Sequence, residues 1–188
     1  MQKLKNECLK LGFDLASNGC NKELEKKMFD RKGLLTEVLG QFRVSRNGIH
    51  GTSHWARVRH HALKIGRVTE SDLIVVELFA FLHDSQRVNE GTDIHHGKRA
   101  AEYAVSLNKK YFDLDSLQID DLHTAIKDHS IGGIHTHSTI QTCWDADRLD
   151  LGRVGTKPCA QYLSAEGAKH IADAYRWSLM SEGAEELF

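Results

Sequence analysis

The chain has a single proline, Pro158, in 188 residues. It also has few stretches in which polar and apolar residues alternate. Proline breaks helix interiors and alternation marks half-buried strands, so both shortages predict a mainly helical chain. Net charge is nearly absent, at −1. That gives no support for a nucleic-acid polymer or an anionic membrane surface as partner, although a small basic pocket can hide inside a neutral total. No stretch approaches the roughly 18 uninterrupted apolar residues of a membrane helix. The opening residues, Met1 to Glu7, lack the apolar core of a signal peptide, so a cytoplasmic location is expected. The four cysteines, Cys8, Cys20, Cys143 and Cys159, show no C-x-x-C spacing. Free thiols are therefore expected rather than a zinc knuckle.

Histidine, by contrast, is abundant, with twelve residues. Many cluster: His50, His54, His60 and His61; His83; His95 and His96; His129, His135 and His137. Any one of them reads most simply as a solvated or core histidine. The set is harder to read that way.

The most apolar run is Leu73 to Leu82, broken only by Glu77, and His83-Asp84 follow at once. Apolar residues cover almost the whole circumference of this helix, which predicts a buried core element. Two strongly hydrogen-bonding side chains at its end are costly unless satisfied. A divalent cation would satisfy both, since imidazole nitrogen and carboxylate oxygen suit zinc, iron, manganese, nickel or cobalt.

The periodicity predicts an all-α fold, a single compact bundle of about seven or eight helices with no linker, spanning 1–188. Helices are expected near 2–16, 21–40, 53–67, 70–84, 95–108, 117–130, 138–152 and 164–181. Thr52 or Ser53 is the expected cap of the third, and Thr69 or Ser71 of the fourth. Leu4, Cys8, Leu11 and Leu15 form a stripe that suits packing on this chain or on a second copy, a homo-oligomer. His54 falls on the apolar face of the third helix with Val58 and Ile65. His61 shares that side and is expected to line a pocket, while His60 faces solvent and His135 and His137 lie in a glycine-rich loop. Asp147 lies on a late helix, where it also reads as a surface carboxylate paired with Arg148 or Arg153. Three helices could thus bring four donors to one point.

The order His54, His83-Asp84, Asp147 resembles the HD superfamily of metal-dependent phosphohydrolases. His54-Trp55-Ala56-Arg57-Val58 resembles the first histidine segment and Ala80-Phe81-Leu82-His83-Asp84 the hallmark. Ala125-Ile126-Lys127-Asp128-His129 resembles a later histidine segment, and Ala146-Asp147-Arg148-Leu149-Asp150 the final aspartate. The resemblance covers about 50–155, with 1–40 and 160–188 as flanking helices packed on it. It implies one divalent metal ion (Mn, Fe, Ni, Co, Zn or Mg) held by His54, His83, Asp84 and Asp147. Some HD proteins bind a second metal through the hallmark aspartate. His96, with His95 as competitor, and His129 occupy suitable positions for that. The other reading is a single metal, with His96 and His129 lining a pocket.

The implied activity is hydrolysis of a phosphomonoester or phosphodiester of a small molecule, a nucleotide among the candidates. A divalent ion lowers the pKa of water and polarises a phosphoryl oxygen. Arg87, Lys98 and Arg57 are the expected cations for substrate phosphate. Some nucleotidases of the family carry a glutamate soon after the hallmark. Here Arg87 stands in its place, with Glu90 and Asp93 close but out of register. This departure argues against 5′-nucleotidase specificity and leaves Asp93 as the expected acid–base group, so that Asp84, Arg87, Asp93 and Lys98 form the catalytic set. The Gly-Tyr-Pro tripeptide of cyclic-dinucleotide hydrolases is missing. Two other readings are an HD-fold di-iron oxygenase and a non-catalytic metal-containing domain that senses nucleotides.

Overall fold

The computed structural model describes residues 29–131 and 133–180. Eight α-helices and two short 3-10 turns make up its regular structure, and the described residues contain no strand, only isolated bridges. The fold is all-α, as expected. The helix predicted near 2–16, with its Leu4 stripe, lies outside the described residues.

The helices are α1 (Arg31–Gln41), α2 (Thr52–Val68), α3 (Leu73–Leu82), α4 (His96–Leu107), α5 (Ser116–Asp128), α6 (Ser138–Leu149), α7 (Ala165–Ala168) and α8 (Ile171–Ser178). None is long and apolar enough to cross a membrane. Local chemistry sets most of the starts. Asp30 caps α1 by accepting from the Gly33 N–H at 3.0 Å. Asp115 and Gln118 form a reciprocal capping box on α5.

Two expected caps are corrected. Asp72, not Thr69 or Ser71, caps α3, accepting from the N–H groups of Ile74 and Val75. Thr69 and Ser71 instead bond each other and Thr142 on α6, fastening the α2–α3 turn to a neighbour. Thr52 is the first residue of α2, and its N–H and hydroxyl both reach the Arg46 carbonyl. The preceding Gly51 leaves no room for a side chain, since a Cβ there would lie 2.1 Å from that carbonyl oxygen.

The last predicted helix is also corrected. It divides into α7 and α8, because Lys169 and His170 turn back on Glu166 and Gly167 with tight i→i+3 bonds. The helix predicted to run to 152 becomes a 3-10 turn, Asp150–Val154, after Leu149.

Helix α3 is the axis of the core. Val75 to Leu82 are all buried, and α3 packs against α2, α4, α5 and α6. Its one acid, Glu77, is paired with Arg59 at 2.6 Å and Arg31 at 2.7 Å. Wrapping helices around a central one brings alternate ends together. The starts of α2 and α4 meet the ends of α3, α5 and α6.

Candidate metal centre and its cavity

Those five helix ends carry the candidate donors. His54 sits in the first turn of α2, His83 and Asp84 directly after α3, His96 at the start of α4, His129 directly after α5 and Asp147 in the last turn of α6. His54, His83, Asp84, His96 and His129 are all buried.

The donor atoms form two groups that share Asp84. In the first, His54 Nε2 lies 3.0 Å from His83 Nε2, 3.6 Å from Asp84 Oδ2 and 3.4 Å from Asp147 Oδ1. His83 Nε2 lies 3.5 Å from Asp84 Oδ2 and 3.8 Å from Asp147 Oδ1. A cation about 2.1 Å from each of four tetrahedral donors would space them about 3.4 Å apart, so these separations fit one. In the second group the other oxygen, Asp84 Oδ1, stands 3.3 Å from His96 Nε2 and 3.8 Å from His129 Nε2. Those two nitrogens are 3.0 Å apart. His54, His83 and Asp84 could hold a metal ion, and so could Asp84, His96 and His129.

The second ring nitrogen of each histidine decides what the first can do. His83 Nδ1 faces the Phe79 carbonyl at 3.1 Å and His129 Nδ1 the Ile126 carbonyl at 2.7 Å. His96 Nδ1 donates to the Asp93 carbonyl, and His54 Nδ1 to Asp150 Oδ2 at 2.7 Å. A carbonyl or carboxylate oxygen only accepts, so each Nδ1 carries the proton and each neutral ring presents a bare lone pair at Nε2. The Nε2 atoms then meet lone pair to lone pair, at 3.0 Å in both groups. Such pairs are repulsive unless a cation or proton lies between them.

The electrostatics agree. Burial pushes the Asp84 carboxyl up, but His83, His129 and His54 hold it well below its usual range. Burial opposes ionisation of Asp147 too, and His54, His83 and Arg153 lower it. Burial would lower His83, yet Asp84 and Asp147 raise it above the ordinary imidazole value. Without a metal, the carboxylates therefore draw positive charge to this point. His129, whose pKa burial and His83 lower to about 4, stays neutral and ready to donate a lone pair.

In the sequence, Asp150 stands only as part of a motif. The structure buries it completely beneath His54, where Arg57 grips it with Nε at 2.6 Å and Nη2 at 3.1 Å. Arg57, expected at a substrate phosphate, is thus committed to this carboxylate. Gly97 explains how α4 comes close enough for His96 to meet His129. A Cβ there would lie 2.6 Å from the Lys127 carbonyl oxygen and 3.0 Å from that of Ile126.

A cavity of about 400 Å³ opens onto the cluster. Asp84, His129 and Asp147 form part of its wall, with His50, Arg87, Arg148 and Arg153 around them. Arg87 donates from Nε to Asp84 Oδ1 at 2.9 Å. Arg153 Nη2 lies 3.8 Å from Asp147 Oδ1, and its other nitrogens bond the Ile49 and Asp150 carbonyls. Arg148 bonds the Gly133 and Tyr162 carbonyls. His50 bonds Glu90, and its pKa is lowered, chiefly by burial.

Lys98 and Asp93 do not line the cavity. The Lys98 side chain is 68% exposed and faces Glu102 one turn along α4. Asp93 accepts from the Val88 N–H at 3.0 Å and from Arg99 Nη2 at 2.6 Å, and its own carbonyl orients His96. His61 is also corrected. Seven residues beyond His54, it lies about 10 Å farther along the helix axis. There it packs against Trp177 of α8 instead of lining the cavity. His60 is exposed, as expected, and lies against the same tryptophan.

No protein-family model matches the chain, and no curated protein matches it by sequence. It is similar to a crystal structure of a predicted HD superfamily hydrolase from an uncultured Thermotogales bacterium. The two share 27% identity and a TM-score of 0.65, over 85% of this chain and 92% of the other. A helical bundle of matching architecture, with the His–Asp hallmark at the end of its central helix, gives this chain the HD-domain fold.

Proposed function

We propose that the protein is a metal-dependent hydrolase that cleaves a phosphomonoester or phosphodiester of a small molecule. One observation carries the proposal. Four Nε2 lone pairs and two carboxylates converge at five helix ends while every Nδ1 is committed to an acceptor. His54, His83, Asp84 and Asp147 would hold one divalent cation, and Asp84, His96 and His129 a second. When bound, such a cation supplies Lewis-acid polarisation of a phosphoryl oxygen and makes water a better nucleophile near neutral pH.

The chain's own groups do the rest. Asp150 fixes the ring of His54, and Arg57 neutralises Asp150, so Asp84 and Asp147 keep their charge for the cation. Arg87 and Arg153 stand on the cavity wall as partners for the anionic substrate. A guanidinium suits this role because its planar fork matches two phosphate oxygens. About 400 Å³ suits a small molecule.

The test is turnover of phosphate esters by protein loaded with each candidate metal. His83→Ala and Asp84→Ala should abolish activity while circular dichroism stays unchanged. Failure of the loaded wild type across monoesters and diesters would sink the hydrolase reading. The second donor group also favours a second reading, a di-iron oxygenase. Two iron atoms per chain together with oxygen consumption on a polyol or phosphonate would select it.

A further inference from the structure

We propose that the cavity takes a phosphate ester whose leaving group is apolar, and that Leu151, Val154 and Tyr162 select it. This rests on the hydrolase reading and names the kind of substrate that reading leaves open.

The turn after α6 has two faces. Residues Asp150–Val154 form a 3-10 helix, in which side chains three positions apart eclipse. Asp150 and Arg153 share the ionic face. Asp150 lies beneath His54, and Arg153 Nη2 lies 3.8 Å from Asp147 Oδ1. Leu151 and Val154 share the apolar face, and both line the cavity. Gly152 sets the turn against α8, where a Cβ would crowd Ser178 and Tyr175. Gly155 ends the turn at φ 76°, in the left-handed region.

The chain then returns to the same cavity. Arg148 Nη1 donates to the Tyr162 carbonyl at 2.6 Å, which holds that segment to the end of α6, and Tyr162 joins the wall. Val154 is 44% exposed and Tyr162 45%. Neither these two nor Leu151 belong to an apolar cluster of the core. Single exposed apolar side chains are ordinary on a protein. Three along one cavity, beside the candidate metal centre, form a surface for a ligand to cover.

The polar part of the wall is concentrated at the other end. Arg87 and Arg153 stand beside the candidate ligands Asp84 and Asp147, as partners for the phosphate. Among the described residues the wall has no amide side chain, and both of its carboxylates are those candidate ligands. A polyol would give up water here for few acceptors. A ring or an alkyl chain gives up no hydrogen bond, and gains by covering the apolar side chains.

Two alcohols of similar acidity separate apolar contact from leaving ability. Metal-loaded wild type, Tyr162→Ala, Tyr162→Phe and Leu151→Ser are assayed on ethyl phosphate and 2-phenylethyl phosphate, and on the methyl diester of each. The ratio of kcat/KM for the two leaving groups is read on one sample, so it does not depend on the fraction folded or loaded. Wild type should favour the phenylethyl ester by about tenfold or more. Tyr162→Ala and Leu151→Ser should each lower that ratio several-fold, and Tyr162→Phe, which keeps the ring, should retain it. A wild-type ratio near one, or a preference that every variant keeps, overturns the selection and leaves the hydrolase intact. A loss in Tyr162→Phe equal to that in Tyr162→Ala overturns it too, because the hydroxyl and not the ring would then be the contact. A wild type that cleaves none of the esters overturns the hydrolase reading, and this proposal with it.

Discussion

At the scale of single residues, the strongest constraint on the site comes from atoms that would never touch a cation. Asp150, Phe79, Asp93 and Ile126 each supply the oxygen that fixes a histidine tautomer. Asp150 is the only side chain among these acceptors, and so the only one open to mutation. Asp150→Asn keeps the shape but weakens the bond to His54 and leaves Arg57 without its anionic partner. Removing a partner of this kind costs about 10- to 100-fold in metal affinity. Calorimetric titration of manganese or zinc into the two proteins should show that loss. Equal affinities would mean that His54 needs no such support.

The sequence made His54, His83, Asp84 and Asp147 legible as candidate donors, because the ordered motifs that resemble the HD superfamily are short local patterns. It left the partners of Asp150 and His50 hidden. The bond from Asp150 to His54 spans 96 positions and that from His50 to Glu90 spans 40. No periodicity reports contacts at such range. Lys98 illustrates the same limit in reverse. It stands two residues after His96, near the site in number, yet a step of two along a helix turns the side chain by about 200°. The lysine therefore faces solvent and Glu102.

At the scale of elements, two contacts can be tested without touching a candidate ligand. The first is the start of α4 against the end of α5, which the bare backbone of Gly97 permits. Gly97→Ala must push the helices apart, at a cost of about 1–3 kcal/mol. It should separate His96 from His129 and weaken uptake of a second equivalent of metal, leaving the first unchanged. Elemental analysis against added metal reads both. Retention of two tightly bound equivalents in the variant would count against the pairing of His96 with His129.

The second contact is α2 against α8, where His61 meets Trp177. Burial, with the neighbouring His60, lowers the His61 pKa to about 3, and Nε2 has no hydrogen-bond partner. Above pH 6.5 the ring is neutral in both folded and unfolded chains, and titration costs nothing. As pH falls below 6.5 the unfolded chain takes up a proton that the native one refuses. Stability then declines by about 1.4 kcal/mol per pH unit until about pH 3. His61→Gln should flatten this decline between pH 6.5 and 4.5 in urea unfolding. Parallel curves for the two proteins would contradict it. The positions of the helices are largely readable, since the apolar period is local, but the caps of α2 and α3 are not. The break between α7 and α8 is not readable either, because it arises from tight turns at Lys169 and His170 inside a segment of helical pattern.

At the scale of the whole molecule, α3 is buried along nearly its entire length and delivers His83 and Asp84 to the point where four other helices end. Fold and site therefore share one set of contacts. A cation bound by the native state alone stabilises it by mass action, by about 2.7 kcal/mol at a hundred times its dissociation constant. Adding manganese, zinc or iron(II) should raise the melting temperature of the wild type, and chelation should reverse the gain. Asp84→Ala, which removes the residue that both groups share, should show neither response. A wild type indifferent to all these ions would argue that the cluster is not a metal centre.

The candidate donors are also spread over about half of the sequence, from His54 to Asp147, with Asp150 behind them. No fragment that stops short of α6 contains the whole set. During synthesis, then, the group of Asp84, His96 and His129 is complete before the one that includes Asp147. A chain cut short before α6 would lack Asp147 and Asp150, and His54 would lose the carboxylate that fixes its ring.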